Sequence, residues 1–228
     1  MDDFAKVIRE RRSIRRYLPE RVPETALREI LDEACWAPSW GNTQSSTIYA
    51  LSAAALEHFK AALLDKAVSE LPGEPDIEMP TTWPEPFGAR MKSHLQAESA
   101  FIAAEEKRRG VVPPDPPVPW LVASAGLFGA PHLLLVATGK DVSRTYACYD
   151  AGLLTENIVL AAQARGLGTC IAASAVRHPD LLRAIIPDSQ DKIFIVGIAL
   201  GYPDRDAAAN QFPRHRVPLE ERVRFITE

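Results

Sequence analysis

Ile193-Phe194-Ile195-Val196-Gly197-Ile198-Ala199-Leu200 (IFIVGIAL) is the stretch on which the fold turns. It is a continuous apolar run closed by the turn Gly201-Tyr202-Pro203. A strand with one wet face alternates polar and apolar residues, so an unbroken run reads as a strand covered on both faces. His132 to Thr138 (HLLLVAT) has the same character. Between these runs, Tyr149 to Arg165 reads as a long helix closed by Gly166 at its C-cap. Gly166 to Ser174 (GLGTCIAAS) then reads as that helix end followed by another buried strand, and Ile48 to Leu51 as a short one. Helices alternating with few strands predict an α/β or α+β fold on a central sheet, with no internal repeat.

Toward the N-terminus, Phe4, Val7 and Ile8 share one face of a short helix that runs into Arg11-Arg12-Ser13-Ile14-Arg15-Arg16. A second helix is expected from Pro23 to Trp36, with Leu27, Ile30, Leu31 and Ala34 as its apolar stripe. Pro38 marks the exit into a polar loop from Ser39 to Ser46, and Ser52 is placed to cap a helix reaching Ser69. From Leu71 to Trp120 the character changes. Prolines stand at 72, 75, 80, 84 and 86 and again at 113, 114, 116, 117 and 119, around a polar, helical stretch from Arg90 to Arg109. Residues 71–120 read as an excursion, a lid or arm, from one domain spanning 1–228.

The composition bounds the function. Of the 228 residues 46% are apolar and 25% charged, an ordinary globular balance with enough apolar content for a core. A formal charge of −4 provides no attraction to nucleic acid or anionic lipid. The opening MDDFAKVIRERR lacks the apolar run of a signal peptide, and no apolar stretch is long enough to span a membrane. Cys35, Cys148 and Cys170 are odd in number and form no C-x-x-C pair, which argues against disulfides or a zinc site. The expectation is a reduced, cytoplasmic protein.

Four short constellations carry chemistry. Arg11-Arg12-Ser13-x-Arg15 offers guanidiniums and a hydroxyl to a phosphate, or is a solvated helix end. Pro38-Ser39-Trp40-Gly41-Asn42-Thr43-Gln44 offers mixed donors and acceptors to a polar heterocycle, or is a loop of turn formers. Gly166 to Ser174 has small residues that let a ligand approach the backbone. It is no dinucleotide fingerprint: Ile171 stands where the third glycine belongs, and a helix precedes it. Arg214 and Arg216, two apart in an extended segment, point the same way and can close on the anion held by Arg11, or belong to a basic tail. His58, His94, His132, His178 and His215 show no metal-ligand spacing, and Cys170 reads as a core thiol. Anion grips and amides without a nucleophile or an acid–base pair suit an enzyme whose reactive atoms belong to a cofactor.

Taken together and in order, these segments resemble the nitroreductase family of flavoenzymes. RRSIRRYLPERVPETALREILDEACWAPSWGNTQ is similar to the family's opening, and GLGTCIAAS, VGIALGYPD and RHR-VPLEE to its C-terminal half. The likeness covers about residues 4–52 and 128–222. It implies an α+β, nitroreductase-like fold with a central, mostly antiparallel sheet flanked by helices. It also implies an intertwined, domain-swapped-style homodimer with FMN at the interface, NADH or NADPH as donor, and nitroaromatics, quinones or similar electron-poor molecules as substrates. By this resemblance Arg11, Arg12, Ser13 and Arg15 bind the phosphate, ribityl chain and pyrimidine edge, with Arg214 and Arg216 on the phosphate. Pro38, Ser39, Trp40, Asn42 and Gln44 reach the flavin from the partner subunit. Ala172, Ala173 and Ser174 lie against the ring.

Three departures stand out. Ser45-Ser46 follow the loop where the family often has Pro-Trp, and Ala173 stands where some relatives carry an acidic residue. Trp83-Pro84-Glu85-Pro86 resembles a nitrobenzoate-reducing subset. Two other readings stay open: the same fold and flavin in enone reduction or dehalogenation, and a flavin- or heme-binding module without turnover.

Overall fold

The structure, a computed structural model, describes residues 2–112 and 118–227. Prolines 113, 114, 116 and 117 of the excursion lie outside the described residues. Twelve elements are used below: α1 (Asp2–Glu10), α2 (Glu24–Ala34), β1 (Ser46–Ser52), α3 (Ala53–Val68), α4 (Phe87–Arg108), α5 (Trp120–Ala125), β2 (His132–Gly139), α6 (Arg144–Ala164), β3 (Gly168–Ala172), α7 (Pro179–Ile185), β4 (Lys192–Gly201) and α8 (Ala208–Gln211).

The strands form one sheet in the order β1-β2-β4-β3, and every neighbouring pair is antiparallel. The fold is therefore α+β. The two apolar runs are its central strands, and their unbroken hydrophobicity has a direct cause. Leu133, Leu135 and Ala137 of β2 face one core with Leu56 and Phe59 of α3 and Leu182 of α7. Leu134 and Val136 face a second core with Ile30 and Ala34 of α2 and Ile158 and Ala162 of α6. Helices cover both faces, so the period-two alternation separates two cores rather than core from water. In β4 the register slips at Ile195: Val136 pairs with Val196 and Ala137 with Phe194. That bulge lets Phe194 and Ala199 reach the same core although they stand an odd five positions apart.

The expected helices form, with shifted ends. The second ends at Ala34, two residues before Trp36, and α6 begins at Arg144, five before Tyr149. Gly166 closes α6 in the left-handed region, φ +73°. Ser52 occupies the cap position of α3, but its hydroxyl makes no cap bond. α5, α7 and α8 are additions to the sequence reading. The root of the excursion is strapped to the sheet: Asp76 accepts two 2.7 Å contacts from Arg183 Nη2 and a 2.9 Å bond from Phe194 N.

Much apolar surface remains uncovered. Trp36 is 85% exposed, Phe225 82% and Ile226 84%, and Phe4 and Ile8 of α1 are exposed as well. Among the described residues, no helix is long and apolar enough to cross a membrane.

Candidate functional site

The basic segment after α1 runs beside the edge strand β3. Ser13 forms a parallel bridge with Thr169, and Ile14 N donates to Thr169 O at 2.8 Å. This approach needs Gly168, because a Cβ there would come within 2.6 Å of Ile14 Cγ1. Arg15 N donates to Asn210 Oδ1 at 2.8 Å, and Asn210 Nδ2 donates to Arg16 O and Asp204 O, both at 2.8 Å. Asn210 thus pins the basic segment against α8.

A cavity of about 110 Å³ opens there, lined by Arg11, Arg12, Ser13, Arg15, Arg214 and Arg216, with His94 and Glu98 from α4. The segment after α1 and the one after α8, about two hundred residues apart, therefore meet as expected. Five arginines face one carboxylate, a formal +4 in a chain whose total is −4.

The arginines divide by partner. Arg12 donates to Asn210 O and, at 3.0 Å, to Phe212 O. Arg214 donates to Arg11 O and, at 2.6 Å, to Arg9 O, carbonyls at the end of α1. Arg15 Nη1 pairs with Glu98 Oε1 at 2.7 Å. Arg11 makes no side-chain hydrogen bond among the described residues, and Arg216 donates only to its neighbour His215 O at 2.9 Å. Burial pushes the Arg12 guanidinium below its ordinary pKa. Arg214 is also lowered, first by burial and then by the charges of Arg12, Arg11 and Arg216. Its Nε is buried without a partner. Crowded cations and an orphaned donor are what a dianionic phosphate would relieve, so these residues fit the phosphate of FMN.

From the Ser13–Thr169 bridge, β3 leads to Ala172 and the single turn Ala173–Val176. At a rise of about 3.3 Å per residue, Ala173 lies roughly 13 Å along the strand from Thr169. Ala172 is buried beneath the surface and Ala173 is exposed on it. Cys170, next to Thr169 in β3, is buried, and its thiol is raised chiefly by that burial.

The loop of Pro38, Ser39, Trp40, Asn42 and Gln44 does not join this group within one chain. It leads into Ser46, which pairs with Thr138 at the far end of the opposite edge strand. Three strand spacings of about 4.8 Å and six residues of rise put the two groups roughly 24 Å apart. The loop is held in shape. Trp40 N donates to both carboxylate oxygens of buried Asp150 at 3.1 Å, and Gln44 N donates to Ser39 Oγ at 2.9 Å. Asn42 and Gln44 sit at positive φ, 57° and 49°, with exposed side chains. Such backbone persists only where its surroundings over-determine it.

Sequence reading missed Asn210, Asp150, Glu98, His94 and Phe212. The first two are single polar residues without a motif, and the α4 pair sits in the excursion outside the resemblance.

The fold and site define a class: an α+β protein with clustered guanidiniums beside an edge strand and small residues further along it. The sequence model described as "Nitroreductase family" matches residues 8–202. A chloronitrobenzene nitroreductase of Comamonas testosteroni is 30% identical over 97% of this chain and 96% of its own length. A 4-nitrobenzoate reductase of Pseudomonas putida is 27% identical over 96% and 92%. The crystal structure of the FMN-dependent nitroreductase NfnB from Mycobacterium smegmatis in complex with NADPH superposes with a TM-score of 0.84. It covers 99% of both chains at 23% identity, a likeness of fold. The chain belongs to the nitroreductase family.

Proposed function

We propose that this protein is an FMN-dependent oxidoreductase that uses NADH or NADPH to reduce nitroaromatics, quinones or similar electron-poor molecules. The observation that carries the reading is the cationic cavity at the Thr169 end of β3. In a chain of net negative charge, it holds four more positive than negative side chains. When bound, FMN would supply hydride-transfer chemistry between the nicotinamide and the substrate. The chain's residues bind and orient it.

In this reading Arg11, Ser13 and Arg216 meet the phosphate directly, while Arg12 and Arg214 hold the two chain segments together around it. Arg15 addresses the pyrimidine edge, and Ala172, Ala173 and Ser174 leave room for the ring about 13 Å down the strand from Thr169. The relatives named for chloronitrobenzene and 4-nitrobenzoate support a nitroaromatic oxidant. In this reading the described parts of the excursion, residues 71–112 and 118–120, serve as a lid or arm of a single domain and select the substrate.

The site is completed by a second copy. Pro38, Ser39, Trp40, Asn42 and Gln44 lie too far from the clamp to share one flavin with it in the same chain, whereas a partner's loop can reach over. The exposed Trp36, Phe225 and Ile226 support such a homodimer, since they are large apolar side chains that a second copy could cover.

The absorbance spectrum of the purified protein tests the function. It should be yellow, bleach with NADH or NADPH, and recover on adding a nitroaromatic. A protein that cannot be loaded with FMN refutes the proposal. Bound flavin reduced by neither nicotinamide refutes the enzyme and leaves a binding module.

A further inference from the structure

Among the described residues Glu98 is the one carboxylate lining the cationic cavity, and it comes from the excursion rather than from the segments that carry the family resemblance. Its Oε1 lies 2.7 Å from Arg15 Nη1, with side-chain exposures of 13% and 25%, so water screens the pair only partly. Arg15 is also fixed at its backbone by Asn210. Arg15 follows directly on Ile14, whose N donates to Thr169 O at 2.8 Å, so the pair stands beside the Thr169 end of β3.

Glu98 is not needed to dock α4. The rings of His94 and Phe101 pack edge-on against Phe212 at 5.5 and 5.6 Å. Arg109, just past the end of α4, donates to Gln211 Oε1 at 2.8 Å and to Asp206 O. With these contacts in place, a half-buried acid among the arginines has an electrostatic consequence. It cancels most of the positive charge that Arg15 would present to a neighbouring group.

We propose that Glu98 is a positioning residue that sets the reduction potential of the bound flavin through Arg15. The inference rests on the flavin site proposed above. A cation at the flavin edge favours the electron-rich reduced form over the oxidised form, and a carboxylate paired with that cation offsets the preference. The excursion thereby contributes charge to the flavin's surroundings as well as shape to the substrate's.

The test uses the full-length FMN-loaded protein and its midpoint potential, measured by reductive titration against a reference dye. Glu98→Gln keeps the shape and removes the charge. Reduced FMN should then bind about ten-fold more favourably relative to oxidised FMN, a positive shift of about 30 mV for a two-electron couple. Arg15→Gln leaves Glu98 unopposed and lowers the potential. In that background Glu98→Gln no longer raises it above the wild-type value. Arg109→Ala, which disturbs α4 docking alone, leaves the potential unchanged. An unshifted Glu98→Gln potential, or an equal shift from Arg109→Ala, overturns the inference while leaving the flavin site intact. A wild-type protein that binds no FMN overturns the site and the inference together.

Discussion

Replacing Arg11 and Arg12 separately distinguishes a ligand grip from a structural brace. The two residues are adjacent and chemically identical, yet Arg12 is committed to the carbonyls of Asn210 and Phe212 while Arg11 makes no side-chain bond among the described residues. Arg11→Ala should therefore cost phosphate affinity and little stability. A hydrogen bond to a charged group contributes about 1.5–3 kcal/mol. With a factor of ten per 1.4 kcal/mol, FMN should bind roughly 10- to 100-fold more weakly. Riboflavin lacks the phosphate, so its affinity should not change. Arg12→Ala removes two partly exposed bonds, about 1–2 kcal/mol in all, which lowers Tm by roughly 2–8 °C for a chain of this size. The assays are flavin-fluorescence titration of the apoprotein and a thermal melt. Equal losses of FMN and riboflavin affinity in Arg11→Ala would place Arg11 away from the phosphate and refute the assignment.

Further outcomes follow from single contacts. Asp76→Ala strips the partner from Arg183 in a mostly buried pair (side-chain exposures 14% and 19%), costing about 3 kcal/mol; Tm should fall and proteolysis near residues 71–80 should accelerate. His132 is buried, its pKa lowered first by burial and then by Arg21, and its Nε2 accepts from Val22 N at 3.1 Å, which requires the unprotonated ring. Its contribution to stability is present above the ordinary value of 6.5, declines as pH falls below it, and is gone below the folded-state pKa. Chemical denaturation from pH 8 to 5 should show this decline, and His132→Gln should reduce it. If the proposed dimer uses the C-terminal segment, Phe225→Asp with Ile226→Asp should shift the protein to monomer on size exclusion and weaken FMN retention. An unchanged elution volume would remove the C-terminal segment from the interface.

What the sequence discloses depends on how locally each feature is encoded. The central strands are legible because an apolar run is written in consecutive residues. The basic segment and the Arg214–Arg216 pair are legible because each is a cluster. α5 and α7, at six and seven residues, lack the periodic length that separates a helix from a loop. The supporting residues are written nowhere locally. Arg15 finds Asn210 across 195 residues and Glu98 across 83, and Trp40 finds Asp150 across 110. Each is an unremarkable polar residue until folding brings it to its partner. The offset ends of α2 and α6 are of a different kind, since helix termini turn on which carbonyls and amides find partners.

The arrangement of charge explains why the site stands at the seam of the chain rather than inside it. Five arginines in one cavity repel each other, and Arg214 shows it: its charged form is disfavoured by burial and by three guanidinium neighbours. The fold tolerates this by giving Arg12 and Arg214 carbonyls and Arg15 a carboxylate. Arg11 and Arg216 stay open to an outside anion. Those carbonyls belong to the ends of α1 and α8, so the clamp also ties the N-terminal segment to the C-terminal one. Under the proposed dimer, each sheet then presents half of a site at each edge: the clamp along β3, the preformed loop before β1. Neither half encloses a flavin alone, and both are rigid before any ligand arrives, one through Asn210 and the other through Asp150. Under the proposed function, specificity for a small oxidant falls to α4, which reaches the clamp from outside this frame and contributes no buried residue to either core.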